Sequence, residues 1–172
     1  MHYQKIDKFD TANGEGIRVS FWVSGCSFAC KGCHNSGAWS YKSGEEYTNE
    51  TLKELLDAAG ADHIAGLSIL GGEPLEPRNV EQVAIIAGAF KRAYPQKTLW
   101  LWTGYTMHEI IERITSQTSC ADALESITKD VDRVIDGRYD STQPTQKAYR
   151  GSDNQMMWMK KDGLHIEFKL ID

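Results

Sequence analysis

Residues 17–35 read IRVSFWVSGCSFACKGCHN. Apart from Arg18, the first seven are β-branched, aromatic or small, and the run stops at Gly25, the pattern of a buried strand that ends in a tight turn. Directly behind the turn, three of the chain's four cysteines, Cys26, Cys30 and Cys33, fall within eight positions. A strand that delivers reactive side chains at its C-terminal end is the unit from which the rest can be read.

The same unit recurs along the chain. GLSILGG at 66–72, TLWLWTG at 98–104 and VDRVIDG at 131–137 are short apolar runs closed by glycine. Between them lie helical periods. Thr48 or Asn49 is positioned to cap a helix carrying Leu52, Leu55, Leu56 and Ala59, with Gly60 at its end. Val80, Val83, Ala84, Ala87 and Phe90 form one helical face closed by Pro95, and Thr106 with Glu109 spells a capping box for a helix carrying Ile110, Ile111 and Ile114. Strands alternating with helices predict parallel βαβ units covered on both faces. A complete eightfold barrel takes about 250 residues, and this chain has 172. The expectation is therefore an α/β fold, a partial (βα) barrel of mostly parallel strands, an open sheet being the other form this length permits.

The tail changes period. Leu164, Ile166, Phe168 and Leu170 alternate with His165, Glu167 and Lys169, as in a half-buried strand, and Asp162–Gly163 is a hairpin signal with MMWMK as the other arm. This predicts a C-terminal antiparallel hairpin, with a loop over 138–152. A single domain over 1–172 is expected, because no Ser/Gly/Pro-rich linker interrupts the sequence.

Composition narrows the function classes. Hydrophobic residues make up 41% and charged residues 25%, values of a globular protein, and the longest apolar stretch, Val83 to Phe90, is too short to span a bilayer. A net charge of −5 disfavours nucleic acid as a partner. The opening MHYQKIDKFD lacks the basic end and apolar middle of a signal peptide, so a cytoplasmic location with reduced thiols is expected. Clustered cysteines in that setting point to metal or catalysis.

Four chemistries compete for the cluster. Buried thiols can be neighbours by chance. A structural zinc needs a fourth ligand, and the nearby candidate, His34, is bonded directly to Cys33, which makes a tetrahedron awkward. Cys30 and Cys33 have redox CxxC spacing, but that leaves Cys26 without a role. An iron-sulfur cluster with three protein ligands leaves one iron open to a small molecule. Cys120, far along the chain, reads as packing. Two other motifs fail: NGEGIR lacks the third glycine of a dinucleotide fingerprint and precedes its strand, and HEIIE at 108–112 ends in glutamate where a zinc protease has histidine.

Cys26, Cys30 and Cys33 in CX3CX2C spacing, followed by GGEP at 71–74, resemble the radical S-adenosylmethionine enzymes. The resemblance implies a 4Fe-4S cluster on the three cysteines and S-adenosylmethionine on the open iron. It also implies that Gly71, Gly72 and Glu73 hold the methionyl amino group, which accords with side-chain-free strand ends and a negative carboxylate. Gly32 and His34, flanking the last cysteine, fall where such enzymes place residues near adenine. By position, Thr103 is a candidate for the ribose or carboxylate and Asp136 for ribose hydroxyls. Arg138 is either a partner of the ligand carboxylate or a solvated surface residue.

More narrowly, NGEGIRVSFWVSGCSFACKGCHN, GGEPLEP, WTGY and RGSDNQ are similar to the glycyl-radical activating enzymes that serve anaerobic ribonucleoside-triphosphate reductases, from about residue 10 to about residue 155. The implied reaction removes a Cα hydrogen from one glycine of the large reductase subunit. One cluster's worth of cysteines then requires an external one-electron donor, a flavodoxin-type protein by the resemblance. Activation of another glycyl-radical enzyme of the pyruvate formate-lyase type, a small-molecule radical enzyme and a structural-zinc binding module are the alternatives. No chemical role for RGSDNQ is derivable from sequence.

Overall fold

The computed structural model describes residues 1–161 and 167–171. In chain order it runs β1 (His2–Asp10), β2 (Ile17–Val23), a short β3 (Glu45–Glu46), α1 (Asn49–Ala59), β4 (Ile64–Gly71), α2 (Val80–Ala93) and β5 (Thr98–Trp102). There follow α3 (Met107–Thr115), α4 (Ala121–Asp130), β6 (Arg133–Asp136), β7 (Met156–Lys160) and β8 (Phe168–Ile171). One eight-stranded sheet has the order β3-β1-β2-β4-β5-β6-β7-β8. Its middle, β2-β4-β5-β6, is parallel, and the strands at either side are antiparallel. The predicted strands and helices are all present. The pairing itself is that of an open sheet with β3 and β8 as its edges, not a closed barrel.

Local chemistry explains the helix starts. The Thr48 hydroxyl accepts from the Glu50 and Thr51 amides, and at α3 the Thr106 hydroxyl accepts from Glu109 N while the Glu109 carboxylate accepts from Thr106 N at 2.7 Å. Each such cap contributes about 1 kcal/mol.

The helices do not cover both faces, contrary to the expectation. Strands β2, β4, β5 and β6 are added one beside the next in a single direction, so right-handed crossovers deposit every helix on the same side. Val19, Phe21, Val23, Leu67, Ile69, Leu99, Leu101 and Val134 point that way and share one core with Leu55, Val83, Phe90, Ile110 and Leu124. On the other face stand Arg18, Ser68, Trp100 and Trp102, covered by loops. Trp102 Nε1 donates to Tyr149 O at 2.8 Å, and the Tyr149 ring meets Trp100 edge-on at 5.0 Å. Arg18 is fully buried and donates to Ser68 Oγ, Glu15 O, Thr98 Oγ1, Leu67 O and Thr98 O. Its guanidinium lies over the Trp100 ring at 5.2 Å. Burial depresses its pKa to about 10, still far above neutrality.

Three elements lie outside the sequence reading: β1, β3 and α4. The hairpin arms β7 and β8 pair as expected, from Met157↔Ile171 to Lys160↔Phe168. The predicted turn at Asp162–Gly163, and Leu164 and Ile166, lie outside the described residues. Burial along β8 departs from a simple alternation: Phe168 is half-buried, but Leu170 is 46% exposed, because β8 is an edge strand beyond the helical layer.

Candidate active site

The C-terminal ends of β2, β4, β5 and β6 open onto a cavity of about 470 Å3 lined by Cys26, Cys30, Cys33, His34, Gly71, Gly72, Glu73 and Thr103 among others. Parallel strands collect ligands at this edge because loops and helix N-termini converge there.

The cysteine loop is tied down from both sides. Gly25 N donates to Ala38 O at 2.7 Å and Cys26 N to Trp39 O at 3.1 Å. Within the loop, Cys33 N donates to Cys30 O at 3.1 Å and Asn35 N to Cys33 Sγ at 3.4 Å. From below, the buried Glu76 accepts from Ser27 N at 2.8 Å and from the Ser27 hydroxyl. All three sulfur-bearing residues are half-buried.

The glycine segment is stitched to the same loop. Gly72 N donates to Val23 O and Glu73 N to Gly25 O, both at 2.8 Å. Gly71 has φ +118°, and a Cβ there would stand 2.6 Å from Val23 N, so only glycine lets β4 end this close to β2. Asn79, buried, donates from Nδ2 to Ser24 O and Glu73 O at 2.9 Å each, locking the two strand ends together.

Glu73 is buried. Its Oε1 accepts from Leu75 N at 2.8 Å and Thr103 Oγ1 at 2.7 Å, and its Oε2 accepts from Gly104 N at 2.6 Å. Burial pushes its pKa up to about 7, against the pull of those hydrogen bonds. Thr103 thus lines the cavity, but its hydroxyl is engaged with Glu73.

The other predicted residues divide. His34 lines the cavity and packs against Tyr139, the two rings tilted with their centroids 4.7 Å apart. Gly32 does not line it; it packs against Ser141 and Tyr139. Asp136 is not brought into the cavity either. Its Oδ2 accepts from Met107 N at 2.5 Å and its Oδ1 from Met156 N at 3.3 Å, so it holds the start of α3 and of β7 and borders a neighbouring groove. The sequence placed it at a strand end, but strand alternation turns its side chain to the helix side of the sheet. Arg138 lines the cavity while pairing with Glu109 at 2.9 Å and lying over the Phe28 ring at 4.3 Å.

Sequence reasoning missed the residues that hold the site together. Glu76 and Asn79 follow the GGE segment in the same loop, and their three- and six-residue offsets from Glu73 were the available signal. RGSDNQ now has a physical account: Gln155 Oε1 accepts from Gly151 N at 2.7 Å, and its Nε2 donates to Gly137 O at 2.7 Å. Asn154 Nδ2 donates to Arg138 O at 2.9 Å, and Arg150 Nη2 to Ile171 O at 2.7 Å. The motif knots the loop after β6 into one wall of the cavity.

The donor set suits an acceptor-rich, thiophilic group. Burial, with Glu73 and Glu76 nearby, raises the Cys26 thiol to about 11, so a cation must supply the drive to thiolate. Trp22 and Asn35 line the cavity, and Trp22 Nε1 and Asn35 Nδ2 are buried donors with no acceptor among the described residues. Nor, among the described residues, do three His, Cys, Asp or Glu side chains close on a single ion-sized point. The residues suit a group larger than one ion, with Cys26, Cys30 and Cys33 as its candidate ligands.

A parallel sheet that presents three cysteines and a glycine-rich strand end to one cavity defines a class, proteins built around a single four-iron cluster, and the family described as "4Fe-4S single cluster domain" matches residues 12–158. The anaerobic ribonucleoside-triphosphate reductase-activating protein of Enterobacteria phage T4 is 39% identical over 164 residues, covering 95% of this chain and 97% of its own length. Those of Vibrio cholerae and Escherichia coli are 34% and 30% identical, each covering 91% of this chain and 97% of their own. The chain belongs to the family of anaerobic ribonucleoside-triphosphate reductase-activating proteins.

Proposed function

We propose that this protein activates an anaerobic ribonucleoside-triphosphate reductase by generating a glycyl radical on its large subunit, using a 4Fe-4S cluster and S-adenosylmethionine. The observation that carries the reading is the meeting of Cys26, Cys30 and Cys33 with Gly71, Gly72 and Glu73 in one cavity. Cys26, Cys30 and Cys33 would supply three thiolates to a four-iron cluster, which would leave one metal position for a chelating substrate. The bound pair supplies reductive cleavage of a sulfonium carbon bond, and with it a 5′-deoxyadenosyl radical able to abstract hydrogen.

The chain's own residues hold and orient. Cys26, Cys30 and Cys33 bind the cluster. Gly71 and Gly72 would admit the methionyl end closely, and the Glu73 carboxylate, held in place by Thr103, Leu75 and Gly104, would supply negative charge for its ammonium group. His34, braced by Tyr139, flanks the adenine, while Gly32 serves as the turn that brings Cys33 round. Asp136 acts at a distance, by fixing α3 and β7. An open sheet with all helices on one side is compatible with a partial barrel, whose open side would admit a protein substrate. Electrons come from a reduced flavodoxin-type donor in the cytoplasm; no helix among the described residues is long and apolar enough to cross a membrane. A pyruvate formate-lyase-type target would use the same cavity and differ in docking, and the matched relatives favour the reductase.

The test is direct. Anaerobically reduced protein is mixed with S-adenosylmethionine and the reductase large subunit and read by electron spin resonance. A glycyl signal is expected, and Cys30→Ala should abolish both the signal and methionine release. Survival of either in that variant refutes the reading.

A further inference from the structure

Beside the cysteine cavity, and sharing Gly137 and Arg138 with it, lies a second hollow of about 640 Å3 between α3 and the β7–β8 hairpin. Its origin is topological. β6 is followed by the 138–155 loop and antiparallel β7 rather than by another helix, so the helical layer ends at α3 and α4. The helix-side face of β7, Met156 and Trp158, is left to line the hollow with Ile111, Ile114 and Phe168.

Two independent features of this groove point to an occupant. The first is apolar exposure. Ile111 is 52% exposed and Met156 41% exposed, on facing walls of one groove. Large apolar side chains gathered this way mark association surfaces. The second is polar. Asn154 Oδ1 is a buried acceptor with no donor among the described residues, while the buried indole Nε1 of Trp158 lies against the Asp136 carboxylate. The Asn154 amide cannot simply rotate, because its Nδ2 is committed to Arg138 O. A stranded acceptor beside an apolar trough suits an occupant that brings an N–H donor, as the peptide unit of an extended chain does. A purely hydrocarbon occupant would leave it unpaired.

We propose that this groove docks a polypeptide segment of the glycine-bearing partner subunit, laid so that it leads past Gly137 and Arg138 into the cysteine cavity. The proposal rests on the function given above, and the two residues that the hollows share, Gly137 and Arg138, are what select this occupant. A substrate glycine has to reach the cavity on a length of backbone, and the groove is a bordering surface that already shares two residues with it. A second copy seated there would stand across that route instead.

The experiment uses the cluster-loaded full chain with Ile111→Lys and, separately, Met156→Lys, both at exposed positions that lysine can occupy without entering the core. Three quantities are read: methionine release from S-adenosylmethionine with a chemical reductant and no partner, affinity for the reductase large subunit, and glycyl radical yield at subsaturating subunit. Methionine release should be unchanged. Affinity and radical yield should each fall about tenfold or more, the size expected when a charge enters a buried apolar contact. Unchanged affinity and yield in both variants overturn the proposal. So does retained activation with a change in the protein's own oligomeric state, which would assign the groove to a second copy. A fall in melting temperature of the isolated chain as large as a core substitution gives also overturns it, because the groove would then be filled by the chain itself. Loss of methionine release in the unmodified protein is a different failure, of the proposed function rather than of the groove.

Discussion

Replacing Thr103 with valine should make the stability of the cluster-free chain more sensitive to alkaline pH. In the native fold Glu73 is buried, and its pKa lies at about 7 against 4.5 for an ordinary glutamate. A carboxyl with a raised folded-state pKa keeps its proton in the folded state while the unfolded chain has already lost it. Stability is therefore greatest below the unfolded value, falls as pH rises from about 4.5 to about 7, and is then flat as far as this group is concerned. The fall amounts to about 3 kcal/mol, from 1.36 kcal/mol per unit. Thr103 contributes one of three hydrogen bonds to the carboxylate, at 2.7 Å. Hydrogen bonds to charged groups are worth about 1.5–3 kcal/mol, so valine moves the folded-state pKa up by roughly 1–2 further units. The flat region of the unmodified protein above pH 7 then becomes a continuing decline in the variant.

The assay is urea unfolding of both proteins at pH 6 and pH 9. The gap between them should be small at pH 6, where Glu73 is largely protonated in both folded states, and wider by about 1.5–3 kcal/mol at pH 9. Thr103→Ser, which retains the hydroxyl, should follow the unmodified protein. A gap independent of pH, or a serine variant that behaves like valine, would refute the assignment of the Thr103–Glu73 bond as the element holding that charge. With Glu73 protonated near neutrality, the cluster-loaded valine variant should also bind S-adenosylmethionine more weakly than the unmodified protein at pH 7.5, by equilibrium dialysis.

Two further outcomes follow from the same geometry. Glu76→Ala removes the acceptor for the Ser27 amide and hydroxyl between Cys26 and Cys30, releasing about 2–3 kcal/mol of loop order; iron per chain after anaerobic reconstitution should drop while Glu76→Gln retains most of it, and full iron content in the alanine variant would refute the tether. Arg18→Leu strands the Leu67 and Thr98 carbonyls and the Ser68 and Thr98 hydroxyls on a covered face, and should lower unfolding stability by about 3–4 kcal/mol; a loss below about 1 kcal/mol would mean the loops over that face open to water at little cost.

Much of the fold was readable because parallel strands are buried on both sides and stand out as short apolar runs ended by glycine, and because Thr48 and Thr106 carry their caps in the local sequence. β1 was missed for the converse reason. His2–Asp10 is an antiparallel neighbour of β2 near the sheet's edge, so its lysines and Asp7 reach solvent and no apolar run survives. α4 had a legible period in Leu124, Ile127 and Val131, all buried, but its short polar turns masked it. Ile111 illustrates the limit of periodicity: it shares a helical stripe with the buried Ile110, yet lies on the groove because no element follows to cover it.

By itself the sequence determined the chemistry: which thiols sit together behind a strand, which strand end carries glycines and a carboxylate, and the order in which the units succeed one another. Those are properties of neighbouring residues, and spacing records them. Only the tertiary structure decided that Thr103 serves Glu73, that Asp136 turns away to the helix side, and that Glu76 and Gln155 brace the walls. Each of those depends on which residues from distant segments the sheet brings within about 3 Å of one another, a hydrogen-bond distance that local pattern does not encode.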